Sequence, residues 1–251
     1  MRVAVAGALG RMGRAVCGAL ATSAGIELVG GFDRAEVGRS LAEVLVLPSG
    51  GPIYDDLIAL YEEQKPDIVV DFTVYPVTLD VAREAVVRGI VPIIGATGWT
   101  DEDEISFADL CDTENIPALL VPNFALGAVL MMRFAQQAAK YFPTVEIVEY
   151  HHDKKLDKPS GTAKRTAQLI QDALPDHHAP VVVHSVRLQG LIAHQEVLFG
   201  GNDELLTLRH DAFSRQSFMS GVLLAVSRVH QLPGFAIGLE HVLNLPGDID
   251  E

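Results

Sequence analysis

The sequence has little cysteine: Cys17 and Cys111 are its only two, and both fall in segments of helical periodicity. Thiols so placed argue against a disulfide framework and point to a reducing compartment. No apolar run approaches the roughly 18 residues expected of a membrane span. The opening residues MRVAVAG lack the long apolar core and cleavage site of a signal peptide, so a cytoplasmic protein is expected. Positive charge is also scarce, with 19 Lys and Arg against 33 Asp and Glu and a net charge of −14. Such a surface repels nucleic acid and anionic membranes, so neither is expected as a partner. An anionic small molecule would then need a local cationic site. Internal repeats and low-complexity stretches are absent, and no further Cys, His or carboxylate stands at ligand spacing around the histidines, so no metal is expected.

What is present divides into two patterns. The first half alternates β-rich runs with helical periods. VAVAG (3–7), IELVGGF (26–32), DIVVDFT (67–73), VPIIGATG (91–98) and PALLVPNF (117–124) read as strands, with helices after the first and over Val77 to Val87 and Asp101 to Asp112. Alternation of this kind predicts a parallel sheet covered on both faces. After Phe124 the order changes. An apolar helix from about Leu126 to Tyr141 is followed by VEIVEY (145–150), a helix after Pro159, and the close-set runs VVVHSVRL (181–188), EVLFG (196–200) and ELLTLRH (204–210). Those runs predict an antiparallel or mixed sheet. A helix over Phe218 to Val229 and the short apolar segment FAIGLEHVLNL close the chain, ahead of an acidic tail, PGDIDE, expected to fray.

GALGRMG (7–13) stands between a strand and a helix, the setting that a dinucleotide fingerprint requires. Glycine lets the backbone approach a pyrophosphate, and the helix start offers free N–H donors. The fit is imperfect, because Ala8 takes the first glycine position, and a tight turn with no ligand is the competing reading. Asp33 follows the second strand, where a carboxylate can accept from an adenosine ribose; Arg34 beside it can pair with a 2′-phosphate. NADH and NADPH both stay open. Asp71-Phe72-Thr73, Gly95 to Gly98 and Val121 to Phe124 end the later strands, at the edge where open α/β sheets bind ligands.

The second cluster is EYHHDKKLDKPSGTA (149–163). His151 and His152 end a strand and suit proton transfer near neutral pH. Adjacent strand residues point to opposite faces, so one of them faces a given pocket unless the strand has ended. Lys154, Lys155 and Lys158 add charge, and Ser160-Gly161-Thr162 opens a helix whose free N–H groups suit carboxylates or phosphates. The same residues also read as a capped surface loop with solvated lysines.

Together, GALGRMGR, DFT, GATGWT, VPNF and above all EYHHDKKLDKPSGTA resemble the 4-hydroxy-tetrahydrodipicolinate (dihydrodipicolinate) reductase family, over nearly the whole chain and in the same order. QGLIAHQEVLFG (189–200) and SRQSFMSG (214–221) extend the likeness. The resemblance implies an α/β protein: an N-terminal Rossmann-type parallel sheet, residues 1–123 plus about 228–251, and a second α+β domain on a mixed or antiparallel sheet, residues 124–227, for substrate binding and tetramerisation. It implies NADH and/or NADPH as cofactor, a small dicarboxylate substrate and a homotetramer. Gly7, Ala8, Leu9, Gly10, Arg11 and Met12 would meet the pyrophosphate, and Asp33 and Arg34 the ribose or its phosphate. Gly95, Ala96, Thr97, Val121, Pro122, Asn123 and Phe124 would line the nicotinamide half. His151 and Lys155 would move protons, and His152, Ser160, Gly161 and Thr162 would hold substrate carboxylates. Ala96, Ala125 and Asp153 depart from residues common in the family. A different two-domain reductase of an anionic small molecule is the alternative; an acylating aldehyde dehydrogenase among these would need a nucleophilic cysteine.

Overall fold

A computed structural model describes residues 1–174 and 179–243; the tail PGDIDE lies outside the described residues. The chain forms two units, Met1–Phe124 with the chain from Phe218 on, and Ala125–Ser217.

In the first unit β1 (Arg2–Ala6) is apolar on both faces, with Val3 to Ala6 fully buried, as a parallel strand between two helical layers must be. It is followed by α1 (Arg11–Ala21), β2 (Glu27–Phe32), α2 (Leu41–Leu45), β3 (Ile53–Tyr54), α3 (Leu57–Gln64), β4 (Ile68–Asp71), α4 (Val77–Val86), β5 (Val91–Ile94), α5 (Asp101–Glu114) and β6 (Ala118–Leu120). With β11 (Phe235–Ile237) these strands form one sheet in the order β11-β6-β5-β4-β1-β2-β3, all pairs parallel. The order reverses between β1 and β4, so the loops after those two strands diverge and leave a crevice at their carboxyl ends.

The second unit holds α6 (Leu126–Ala139), β7 (Thr144–His151), α7 (Gly161–Ala173), β8 (Val182–Arg187), β9 (Ala193–Gly201) and β10 (Glu204–Ala212). Its sheet runs β10-β9-β7-β8 and is mixed: β7 and β8 are parallel, the other pairs antiparallel. Ile147, Val197 and Phe199 project from one face into a core with Met131 and Ala135 of α6 and Ala163 and Ile170 of α7.

The chain returns to the first unit at Phe218, not near residue 228. The helix α8 (Met219–Arg228), expected in the second unit, packs against α1 and buries Met219, Val222, Ala225 and Val226. Its Gly221 lies so close to the Phe124 carbonyl oxygen that a Cβ would stand 2.0 Å from it, so the helix seats only because this residue has no side chain.

Candidate active site

Parallel strands bring all their carboxyl ends to one edge, and that edge gathers the loop after β1, Asp33 after β2, Gly95 to Thr97 after β5 and Val121 to Phe124 after β6. Gly7 turns the chain with φ +71°, and its amide donates to the Phe32 carbonyl at 2.8 Å. The Gly10 amide donates back to Gly7 O at 3.1 Å. Gly13 makes the closest approach: a Cβ there would lie 2.0 Å from Gly7 O. The helix start carries no side-chain cap and no acid in its first turn, and Gly10 is exposed. The first-turn amides of α1 therefore lack an intrahelical acceptor and stand beside positive helix-dipole charge. Asp33 is tied to this loop, accepting from the Leu9 amide at 2.9 Å through Oδ2 and from the Ala35 amide at 3.2 Å through Oδ1. Bare amides, an exposed glycine and a loop-anchored carboxylate are the donor and acceptor set that a dinucleotide's pyrophosphate and ribose take. A Cβ at position 13 would push Gly7 and Ala8 out of this turn, and such overpacking costs about 1–3 kcal/mol. Gly13→Ala is therefore expected to weaken NADH binding about tenfold or more, and fluorescence titration giving the parental Kd would refute the loop's role.

Farther along the edge, Asp71 is fully buried and accepts from the Thr78 hydroxyl and from the Thr73 amide, the latter at 2.8 Å. Burial pushes its pKa up, against those hydrogen bonds. The Phe72 and Phe124 rings pack 5.4 Å apart. Gly95 fits between them, where a Cβ would come within 2.4 Å of Phe72. The space left by this glycine is thus filled by the protein's own rings. Ala8, Ala96, Val121 and Phe124 are buried, leaving backbone atoms as their means of contact, whereas Arg11, Arg34, Thr97 and Pro122 are exposed and Met12 and Asn123 half-buried.

The second unit brings the other cluster together. His151 is the last residue of β7 and His152 lies just beyond it, so the strand's face rule stops between them. His152 is exposed; His151 is half-buried, and its Nδ1 meets a carboxylate oxygen of Glu149. Glu149 is fully buried and also accepts from Arg187 Nη2 at 2.7 Å. The same Nη2 donates to the Asp157 carbonyl at 2.7 Å, linking β8 to the lysine loop. Lys155 Nζ pairs with Asp157 Oδ1 at 2.8 Å, and the Lys155 amide donates to His152 O at 3.1 Å. Burial lowers the His151 pKa and Lys155 and Arg187 add to that, while the hydrogen bond and charge of Glu149 oppose it. Burial acts to raise Glu149, but hydrogen bonds from Arg187, Ser185 and His151 outweigh it and hold the carboxyl below its ordinary range.

Ser160 caps α7, its Oγ accepting from the Ala163 amide at 3.2 Å; being only 2% exposed, it serves the helix start itself. Gly161 is exposed at that start. The Thr162 carbonyl accepts from the Thr166 hydroxyl at 2.8 Å, and Gln195 on β9 donates to that hydroxyl, also at 2.8 Å. Glu149, Arg187, Gln195 and Thr166 were not among the residues expected at the site. Glu149 could have been found two residues before His151 on the same strand face; the others are distant in sequence and meet only through strand pairing and helix packing. The two thiols are buried, and burial pushes both pKa values up to about 12, which removes the nucleophile that an acylating aldehyde dehydrogenase requires.

A parallel sheet with a dinucleotide loop, joined to an α+β unit bearing a histidine–lysine cluster, defines the class: a two-domain NAD(P)H-dependent oxidoreductase. Residues 1–124 match the family model described as the dihydrodipicolinate reductase N-terminus, and residues 127–243 match that of its C-terminus. The chain belongs to the dihydrodipicolinate reductase family. It is 44% identical to the 4-hydroxy-tetrahydrodipicolinate reductases of Moorella thermoacetica and Geobacillus thermodenitrificans, covering 97% of this chain and 98% and 99% of theirs. A solved structure, the dipicolinate-bound dihydrodipicolinate reductase from Paenisporosarcina sp. TG-14, superposes with a TM-score of 0.87 at 40% identity, over 97% of this chain and 99% of that one. An amine dehydrogenase from Mycobacterium smegmatis shares the fold, with a TM-score of 0.74 at 15% identity over 98% of this chain and 97% of that one.

Proposed function

We propose that this protein reduces 4-hydroxy-2,3,4,5-tetrahydrodipicolinate to tetrahydrodipicolinate with NADH or NADPH, in lysine and diaminopimelate biosynthesis. The observation that carries this reading is the cluster at the end of β7, where a half-buried histidine, a lysine and an open helix start stand within one short segment of a strongly acidic protein. That is the local cationic site a dicarboxylate needs. The loop after β1 would hold the dinucleotide's pyrophosphate, and the bound cofactor would supply the hydride. The chain's own residues hold and protonate the substrate. His152, Gly161 and Thr162 bind the carboxylates, with the amides at the start of α7 as donors, while Ser160 caps that start. Loss of the 4-hydroxyl as water gives the unsaturated cyclic imine that accepts the hydride, and the His151–Lys155 pair delivers the one proton that the negative charge left on the substrate requires. Fixing the dianion beside these two acids raises their effective concentration.

The enzyme works in the cytoplasm as a homotetramer built through the second unit's sheet. The face of that sheet opposite α6 and α7 presents Tyr150, His194, Glu196, Arg209 and Asp211. Arg209 bridges Glu196 and Asp211, and no helix of this unit covers it among the described residues. Sedimentation of a monomer at micromolar concentration would count against the tetramer. The reaction is tested by making the substrate from pyruvate and aspartate semialdehyde with the preceding synthase, then following NADH and NADPH absorbance separately. Substrate-dependent oxidation of either supports the assignment, and oxidation of neither overturns it.

A further inference from the structure

Glu149 is a costly residue to bury. It is fully enclosed on the face of β7 that α7 covers, where a carboxylate left without a partner would strongly destabilise the fold. The structure pairs it twice. Arg187, itself 6% exposed, donates to one oxygen at 2.7 Å; the other oxygen meets His151 Nδ1. Strand pairing makes this arrangement rigid, because His151 stands opposite Arg187 in the parallel β7–β8 register and Glu149 lies two residues back on the same face. An ionised carboxylate can only accept, so the ring nitrogen facing it carries the proton. The opposite nitrogen, Nε2, is thereby left as the site of proton exchange.

We propose that Glu149, kept ionised by Arg187, is a positioning residue that fixes the tautomer and orientation of His151 and sustains its protonated form for the reduction. The inference rests on His151 being a proton donor in that reaction. The charged groups around the ring are Glu149 on its own strand, Arg187 on β8, and Lys155 with its partner Asp157 on the loop before α7. Of these, Glu149 is the one in direct contact with the ring that favours the imidazolium. Glu149→Gln keeps the side chain's shape and an acceptor oxygen but removes the charge.

The test compares pH profiles of turnover for the parent, Glu149→Gln and His151→Gln, with NADH titration of each as a check on folding. The basic limb of the profile, where a proton donor loses its proton, should move down by about 1 pH unit or more in Glu149→Gln, as expected when an adjacent opposite charge is withdrawn. His151→Gln should lose the limb together with most of the turnover. A Glu149→Gln profile superimposable on the parent's, with His151→Gln slow, would overturn the positioning role alone. Parental turnover in His151→Gln would overturn the reading of His151 and this inference with it. Nitrogen-15 histidine spectra of the unsubstituted enzyme read the tautomer directly, without relying on the activity or folding of Glu149→Gln. With the His151 signals assigned by their loss in His151→Gln, the neutral ring should carry its proton on Nδ1, and a ring protonated on Nε2 alone would equally refute the proposal.

Discussion

Lys155→Ala lowers turnover by about 10²–10⁴-fold, the expected loss when a positioned proton donor is removed, and leaves NADH affinity at the parental level. The side chain is 24% exposed, and its partner, Asp157, is 51% exposed. An ion pair that open to solvent contributes little to stability, so its loss should not unfold the second unit. The backbone it leaves behind is held independently: the Lys155 amide donates to His152 O, and Arg187 grips the Asp157 carbonyl. The effect should therefore fall on kcat. Steady-state rates in the coupled assay, with a parallel NADH titration, provide the check. Unchanged turnover would remove Lys155 from the chemistry.

Phe199→Ala destabilises the second unit by about 3–5 kcal/mol, the usual cost of emptying an aromatic site in a packed core. Phe199 is fully buried and packs 5.7 Å from Phe142, with Ile147, Val197 and the α6 and α7 side chains around it. Its neighbours are held by two strands and two helices, which limits how far they can collapse into the void. The same sheet carries His151 at the end of β7, so the loss of packing also loosens the strand that aims the proton donor. Urea denaturation followed by circular dichroism measures the change. A shift corresponding to less than about 1 kcal/mol would show that the site refills and that this core is looser than its burial implies.

Much of this could be read along the chain, where local pattern and local chemistry coincide. The apolar runs of β1, β4 and β5 are legible because strands buried on both faces have no polar alternation to confuse them. The start of α7 is legible because Ser160 is an N-cap on its own terms. The elements α2, β3, α3 and β11 were not. β3 is two residues long and β11 three, too short for any period. β3 exists because Gly51 lets the chain press against Val29 O, where a Cβ would stand 1.7 Å away. The helix α8 was legible as a helix but not as part of the first unit, since an amphipathic stripe shows that a partner exists and not which one.

The candidate site divides in the same way. Gly7, Gly10, Gly13 and Asp33 announce themselves by their spacing from β1 and β2, and His151, Lys155 and the turn into α7 by their crowding of charge. The sequence by itself determined which chemical groups this protein has and, through the order of strands and helices, that a dinucleotide loop would precede an acid–base cluster. Only the tertiary structure decided that His151 would be paired with Glu149. It also decided that Arg187, dozens of residues away, would neutralise that carboxylate, and that Gly95 would yield its space to Phe72 and Phe124. These are contacts across strands and between packed side chains, made when burial forces distant polar groups to find partners, and no local period encodes them.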